Sequence, residues 1–155
     1  MSVRPVALAG FVAAVETAGQ VTLTAYTLPP GAVRAALATA ARDGARVCVR
    51  LEGHPFHDPR GGLRAANAAA VAQLREAGVD AALSGDGEPA LHLKAAVVDG
   101  VAWLDDRNWV GSPRATLVRD DDPGDVAVVE AALDGRPAAD DCLATTKAAA
   151  QALEL

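Results

Sequence analysis

The chain has 155 residues, 51% of them hydrophobic and only 3% aromatic, and a formal net charge of −6; its mean hydropathy is +0.16. That length can bury a substantial core and that apolar content argues against a disordered chain, with Ala, Val and Leu left to build the interior. The acidic balance argues against a generic nucleic-acid surface, which needs a basic stripe, and no apolar run reaches the ~18–20 residues that span a bilayer.

Leu8, Phe11, Val12 and Val15 recur at i, i+3, i+4 and i+7, the spacing of one helical face, and Gly19 is placed for a C-cap. The N-terminal stretch therefore reads as an amphipathic first helix rather than a signal peptide, and cytoplasmic residence is the expectation. In that setting Cys48 and Cys142 are expected to be reduced and structural. A strand is predicted over Val21–Tyr26. Pro29-Pro30-Gly31 opens a second helix with Val33, Ala36, Leu37, Ala40 and Ala41 on one face, and Gly44 ends it. Ala45–Leu51 reads as the second strand and the Gly- and Pro-rich run Gly53–Gly62 as a loop. A third helix presents Asn67, Ala70, Val71 and Leu74 before the turn at Gly78, and a short strand, Val79–Leu83, leads into a loop from Ser84 to Pro89.

The texture then changes. Two apolar runs, Leu91–Asp99 and Val101–Asp105, flank Asp99-Gly100, a dipeptide favoured in tight hairpins. Ala115–Arg119 is expected to be a further strand. Val126, Val129 and Leu133 mark a helix starting near Asp125, and Asp140–Leu153 is helix-compatible. The alternation predicts an α/β fold over residues 1–155 in one domain: a mixed β-sheet flanked by helices on both faces.

Within the first of those runs lies His92-Leu-Lys94, followed by Asp99 and then by Asn108-Trp109. Side chains alternate along a strand, so His92 and Lys94 are expected on one face with Cα atoms roughly 6–7 Å apart, and Asp99 on the other. An imidazole able to attack or to donate a proton then sits beside an ammonium able to hold a phosphate oxygen. Of the 14 Lys and Arg residues only Lys94 and Lys147 are lysines, so a compact point charge is placed beside this histidine in a chain that otherwise uses arginine.

The pattern resembles the H-x-K-x4-D signature of the phospholipase D superfamily, and the resemblance extends over most of the chain. Val21–Tyr26, Val33–Arg42 and Gly44–Leu51 are similar to the family's opening α/β units, and Leu74–Asp80 and Thr116–Leu133 also fit. Where family members carry Gly-Ser-x-Asn-Trp or similar, this chain has Asp105-Asp106-Arg107-Asn108-Trp109. The resemblance implies a phospholipase D-like half-fold and a metal-independent phosphodiesterase that needs no cofactor. His92 would be the nucleophile, passing through a phosphohistidine intermediate, while Lys94 and Asn108 stabilise the transition state. Family active sites are assembled from two H-x-K motifs, so a single motif implies a twofold homodimer or a separate second-half subunit. The stretch Leu143–Glu154 looks like the helix that opens the second half of two-motif relatives. The competing reading is a catalytically degenerate half-domain that binds a partner or a phosphorylated ligand without turnover. The substrate could be a phospholipid, a small phosphodiester or a nucleic acid, the last disfavoured by net charge.

Plainer readings apply to the other polar residues. Asp99 is expected to be structural, an acidic hairpin residue bonding backbone amides. Asn108 could instead cap a turn. Trp103 and Trp109 read as core or loop anchors. His54, His57 and Asp58 lie in a Pro-rich loop without the regular scaffold of a metal site. Asp120-Asp121-Asp122, with Asp125, reads as a solvated turn, and Gly85-x-Gly87 precedes no helix start that could cradle a phosphate.

Overall fold

The computed structural model describes residues 3–88, 90–112 and 116–134. In chain order these form β1 (Arg4–Pro5), α1 (Leu8–Glu16), β2 (Gln20–Ala25), α2 (Ala32–Arg42), β3 (Arg46–Leu51), α3 (Gly62–Glu76), β4 (Asp80–Leu83), β5 (Ala95–Val98), β6 (Val101–Asp105), β7 (Leu117–Asp120) and α4 (Pro123–Asp134). The seven strands make one sheet in the order β1-β7-β6-β5-β2-β3-β4. β2, β3 and β4 are parallel, joined through α2 and α3, whereas β2–β5, β5–β6, β6–β7 and β1–β7 are antiparallel.

The period-two alternation of β5 divides the two faces of the sheet. Ala96 and Val98 join Phe11, Val15, Leu37, Val49 and Leu74 in the main core, which α1, α2 and α3 cover. Ala95 and Val97 pack with Ala102, Val126 and Leu133 beneath α4 on the other side. This is the mixed sheet with helices on both faces that the sequence predicts. The two tryptophans are core anchors: Phe11 stacks on Trp109 with ring centroids 4.5 Å apart and meets Trp103 edge-on at 5.2 Å. Such aromatic packing supplies apolar mass in a chain poor in rings. Local chemistry fixes the helix starts. Asp122 Oδ1 accepts the amides of Gly124 and Asp125 ahead of α4 with Pro123 in the first turn, and Asp58 accepts the amides of Leu63 and Arg64 in α3.

Several expectations are corrected. The strand predicted over Leu91–Asp99 begins only at Ala95. Side chains take the bonds a ladder would have used: the Thr24 hydroxyl donates to Leu93 O at 2.8 Å, and the Glu52 carboxylate accepts from Leu91 N. The N-terminal stretch is not helical from its start, because Arg4 and Pro5 pair with Arg119 and Val118 of β7. The strand read as Ala115–Arg119 runs Leu117–Asp120, and Asp120 is buried rather than solvated, with its Oδ1 accepting from Asp122 N. Cys48 is disulfide-bonded rather than reduced; a cysteine in an apolar strand pattern carries no signal of its redox state. The predicted helix at Asp140–Leu153 and Cys142 lie outside the described residues. Among the described residues no helix is long and apolar enough to cross a membrane.

Candidate active site

Strand register gathers the polar residues at one edge of the sheet. Ala25 pairs with Leu51 and Leu51 with Leu83, so β2, β3 and β4 end together; Leu23 pairs with Ala96 and Ala95 with Leu104, so β5 begins and β6 ends at that same edge. Chain segments leaving the carboxyl ends of parallel strands form the usual binding crevice of α/β sheets.

His92 and Lys94 lie just ahead of β5, in chain without regular secondary structure rather than in the strand itself. The His92 ring is exposed and lies flat on the Tyr26 ring, with centroids 4.6 Å apart and planes 12° from parallel. The Lys94 ammonium turns back to donate to His92 O at 2.8 Å, which holds its charge at the His92 backbone. Asn108 Oδ1 accepts from the amides of Tyr26 and Thr27 at 3.1 and 3.3 Å. Its oxygen is thereby engaged, and its amide nitrogen is the group that can donate to a ligand. His92 and Asn108 are thus brought together across a single residue.

The turn that presents Asn108 is unusual. Asn108 and Trp109 both have left-handed backbones, with φ of 55° and 64°, a conformation that costs a bulky residue roughly 1–2 kcal/mol. It is held from several directions. Asp105 Oδ2 accepts from Arg107 N and, at 2.6 Å, from Trp109 N, while the Trp109 indole donates to Thr24 O at 3.2 Å. Asp106 Oδ1 accepts from Thr116 N at 2.8 Å. The carboxylates of Asp105 and Asp106 therefore fold the loop through its backbone amides.

Asp99 lies at the other end of β5. It also has positive φ (46°), and its carboxylate accepts from Gly19 N and Gln20 N at 3.1 and 3.0 Å, while its own amide donates to Gln20 O. It clamps the hairpin to the start of β2 and is remote from His92.

Sequence reasoning missed the group beneath the site. Glu52 follows directly on β3 and is 2% exposed. Its carboxylate accepts from Leu91 N, from His54 N at 2.8 Å and from the Ser84 hydroxyl at 3.1 Å. Burial opposes its charge, but the amides of Leu91 and His54, the Ser84 hydroxyl and the nearby His54 ring together hold it below the ordinary carboxylate range. Asn67, on an otherwise apolar stripe of α3, donates from Nδ2 to Tyr26 O and to Glu52 O, each at 2.9 Å, and so ties the exits of β2 and β3 together. The available signal was a polar residue inside an apolar pattern, since buried polar groups are almost always paired.

The loop after β3 completes the rim. Tyr26 OH accepts from Phe56 N, and Phe56 itself is 71% exposed with its ring tilted against His57. His54 lies between Asp86, through Nε2, and Arg64, at 3.0 Å from Nδ1. Gly53 is required here because a Cβ would fall 2.1 Å from Ser84 O.

Comparison with known proteins agrees on the fold. No protein-family profile and no curated protein sequence matches the chain. Among solved structures, it is similar to Nuc from Salmonella typhimurium, a phospholipase D family member, with a TM-score of 0.69 at 16% identity, covering 87% of this chain and 93% of Nuc. NucT from Helicobacter pylori gives 0.61 at 13% identity over 84% of this chain and 90% of NucT. Phosphatidylserine synthase from Haemophilus influenzae gives 0.59 at 17% identity over 83% of this chain and 36% of the synthase. The architecture is the phospholipase D-like α/β fold.

Proposed function

We propose that this chain is a metal-independent phosphodiesterase of the phospholipase D type, built from residues 1–155 as one domain and completed by a second H-x-K motif in a homodimer. His92 of one protomer attacks phosphorus through a ring nitrogen, and the P–O bond to the leaving alcohol breaks. The partner's His92 gives that oxygen its proton. The partner's imidazole, now neutral, takes a proton from water, whose oxygen displaces the first imidazole from phosphorus. Atoms balance as hydrolysis of one phosphodiester bond, with both imidazoles restored. The two copies of Lys94 and the Asn108 amide nitrogen stabilise the charge on the equatorial oxygens, and Asp99 supports the hairpin. Imidazole suits both roles because one ring nitrogen can attack while the same group in the other copy gives and takes a proton. The acidic net charge favours small or lipid phosphodiesters over long nucleic acids.

The observation that carries this reading is the convergence on Tyr26, whose ring bears His92 and whose amide binds Asn108. The test is hydrolysis of bis(p-nitrophenyl) phosphate in EDTA. His92→Ala should reduce turnover by at least about 10³-fold, the scale for losing a nucleophile, and equal activity in mutant and wild type would dispose of the mechanism.

A second reading is favoured by Asp105 and Asp106. Two carboxylates replace Gly-Ser at the site and add negative charge beside any phosphate, which suits a half-domain that binds a partner or a phosphorylated ligand without turnover. Trapping phosphate on His92 supports the enzyme, and its failure with tight ligand binding supports the binding module.

A further inference from the structure

The peptide that carries His92 is gripped on both sides by side chains of other strands. Leu91 N, one residue before it, donates into the Glu52 carboxylate, and Leu93 O, one residue after it, accepts from the Thr24 hydroxyl. His92 O accepts from Lys94, so three consecutive backbone groups are held by three side chains. None of these bonds belongs to a helix or a strand ladder. An exposed ring on irregular chain has no intrinsic reason to hold one orientation, and ordering it by regular structure is not available here.

Glu52 is the member of this set with an energetic cost attached. A buried carboxylate is unfavourable unless its oxygens are satisfied, and this one is met by two amides and a hydroxyl. It faces no lysine or arginine among those partners. A role in bulk stability alone would be served as well by an apolar residue of similar volume, as buried charges generally are. What an apolar residue could not do is bond Leu91 N, His54 N and Ser84 Oγ at once, joining the exits of β3 and β4 to the segment that enters the site.

We propose that Glu52 is the positioning residue for His92: its buried carboxylate fixes the Leu91 amide, so that the imidazole lies flat on Tyr26 with its edge presented to a phosphoryl group. The inference rests on the phosphodiesterase reading for its effect on turnover, but its effect on ring geometry is independent of that reading. Glu52→Gln removes the charge and turns one amide donor toward another donor, leaving the side chain nearly isosteric. Ser84→Ala removes one bond to Glu52, together with the acceptor of Gly53 N, and leaves the carboxylate in place.

The experiment follows the ring protons of His92 by NMR in the full-length protein, assigned by their loss in His92→Gln, alongside steady-state hydrolysis of bis(p-nitrophenyl) phosphate. In the wild type the Tyr26 ring current shifts the His92 protons upfield. Glu52→Gln should collapse that shift and lower kcat by about 10–100-fold with KM changed less than about threefold, the pattern of lost transition-state geometry. Ser84→Ala should give a partial collapse and a several-fold loss of kcat, and it decides the matter if Glu52→Gln does not fold. Unchanged His92 shifts in a folded Glu52→Gln or Ser84→Ala variant would overturn the proposal. If the wild type proves inactive the phosphodiesterase reading fails, while the ring shifts still support or overturn the role of Glu52.

Discussion

The imidazole of His92 and the phenol of Tyr26 lie 4.6 Å apart and nearly parallel, although 66 residues separate them in the chain (92 − 26). Tyr26 is the first residue after β2, and its hydroxyl, amide and carbonyl are each bonded to a different segment. The exposed histidine is therefore seated on a residue that cannot shift without disturbing the Phe56 loop, Asn108 and α3.

Tyr26 substitutions should separate the ring from the hydroxyl. Tyr26→Phe keeps the stack and loses only the hydroxyl's bonds to Phe56 N and Phe56 O, so kcat/KM should fall by no more than a few-fold. Tyr26→Ala loses the seat itself, and a drop of about 10–100-fold is expected from the misplaced imidazole. Equal losses in the two variants would show that the hydroxyl, not the ring, is what matters.

Asp99 should matter to stability far more than to chemistry. Asp99→Ala removes the acceptor for the Gly19 and Gln20 amides at a left-handed position, with an expected loss of about 1–2 kcal/mol in urea unfolding. Asp99→Asn retains one oxygen and tolerates the positive φ, so it should lose less. Activity per folded molecule should be within about twofold of wild type in both, given the distance along β5 from His92.

Acid should weaken the fold through Glu52 and Asp58. Both have folded-state pKa values lowered from ordinary values of 4.5 and 3.8. A lowered carboxylate contributes stability that is fully present above its unfolded pKa and is lost as pH falls through the folded value. Wild-type stability should therefore fall as pH drops below about 4.5, and the gap between wild type and Glu52→Gln, about 2 kcal/mol at pH 7, should narrow over the same range in urea titrations.

Asp125 carries the opposite sign. A hydrogen bond with Asp120 and the charges of Asp120 and Asp122 raise its pKa from the ordinary 3.8. A raised carboxylate contributes stability below its unfolded pKa that is lost as pH rises through the folded value. Asp125→Asn should accordingly raise Tm at pH 7 and confer no benefit near pH 3, as differential scanning fluorimetry can read.

Gly53→Ala should be among the most damaging single-methyl additions in the protein. The new Cβ would fall 2.1 Å from Ser84 O, a clash with backbone that only movement of the β3 or β4 exit can relieve. A loss of about 2–3 kcal/mol is expected, measured by urea unfolding.

Much of this architecture is legible in the residues. Helical spacing at Phe11 and Val15 and the Asp99-Gly100 hairpin both survive as read, because local preference and core-facing pattern point the same way. The N-terminal edge strand was hidden, since Arg4-Pro5 carries neither alternation nor β-branched residues and is held only by its partner β7. The start of β5 was misplaced for a related reason: period-two patterning sees side-chain faces, whereas Thr24 and Glu52 diverted the backbone bonds of Leu93 and Leu91. His92, Lys94, Asp99 and Asn108 stood out by spacing. Glu52, Tyr26 and Ser84 did not, because what defines them is convergence from three separate strand ends, and linear order carries no measure of that.

Lys94 and Asp99 bracket the four residues of β5, so the interval between the motif's basic and acidic members is the length of one strand. Asp99 anchors one end against Gly19 and Gln20, and Thr24 and Glu52 receive the other. The interval thus works as a ruler that measures His92 onto Tyr26 from a mooring at the opposite rim of the sheet. Adding or deleting one residue inside it would reverse every side chain of β5 between the two cores, and the ring would no longer arrive at its seat.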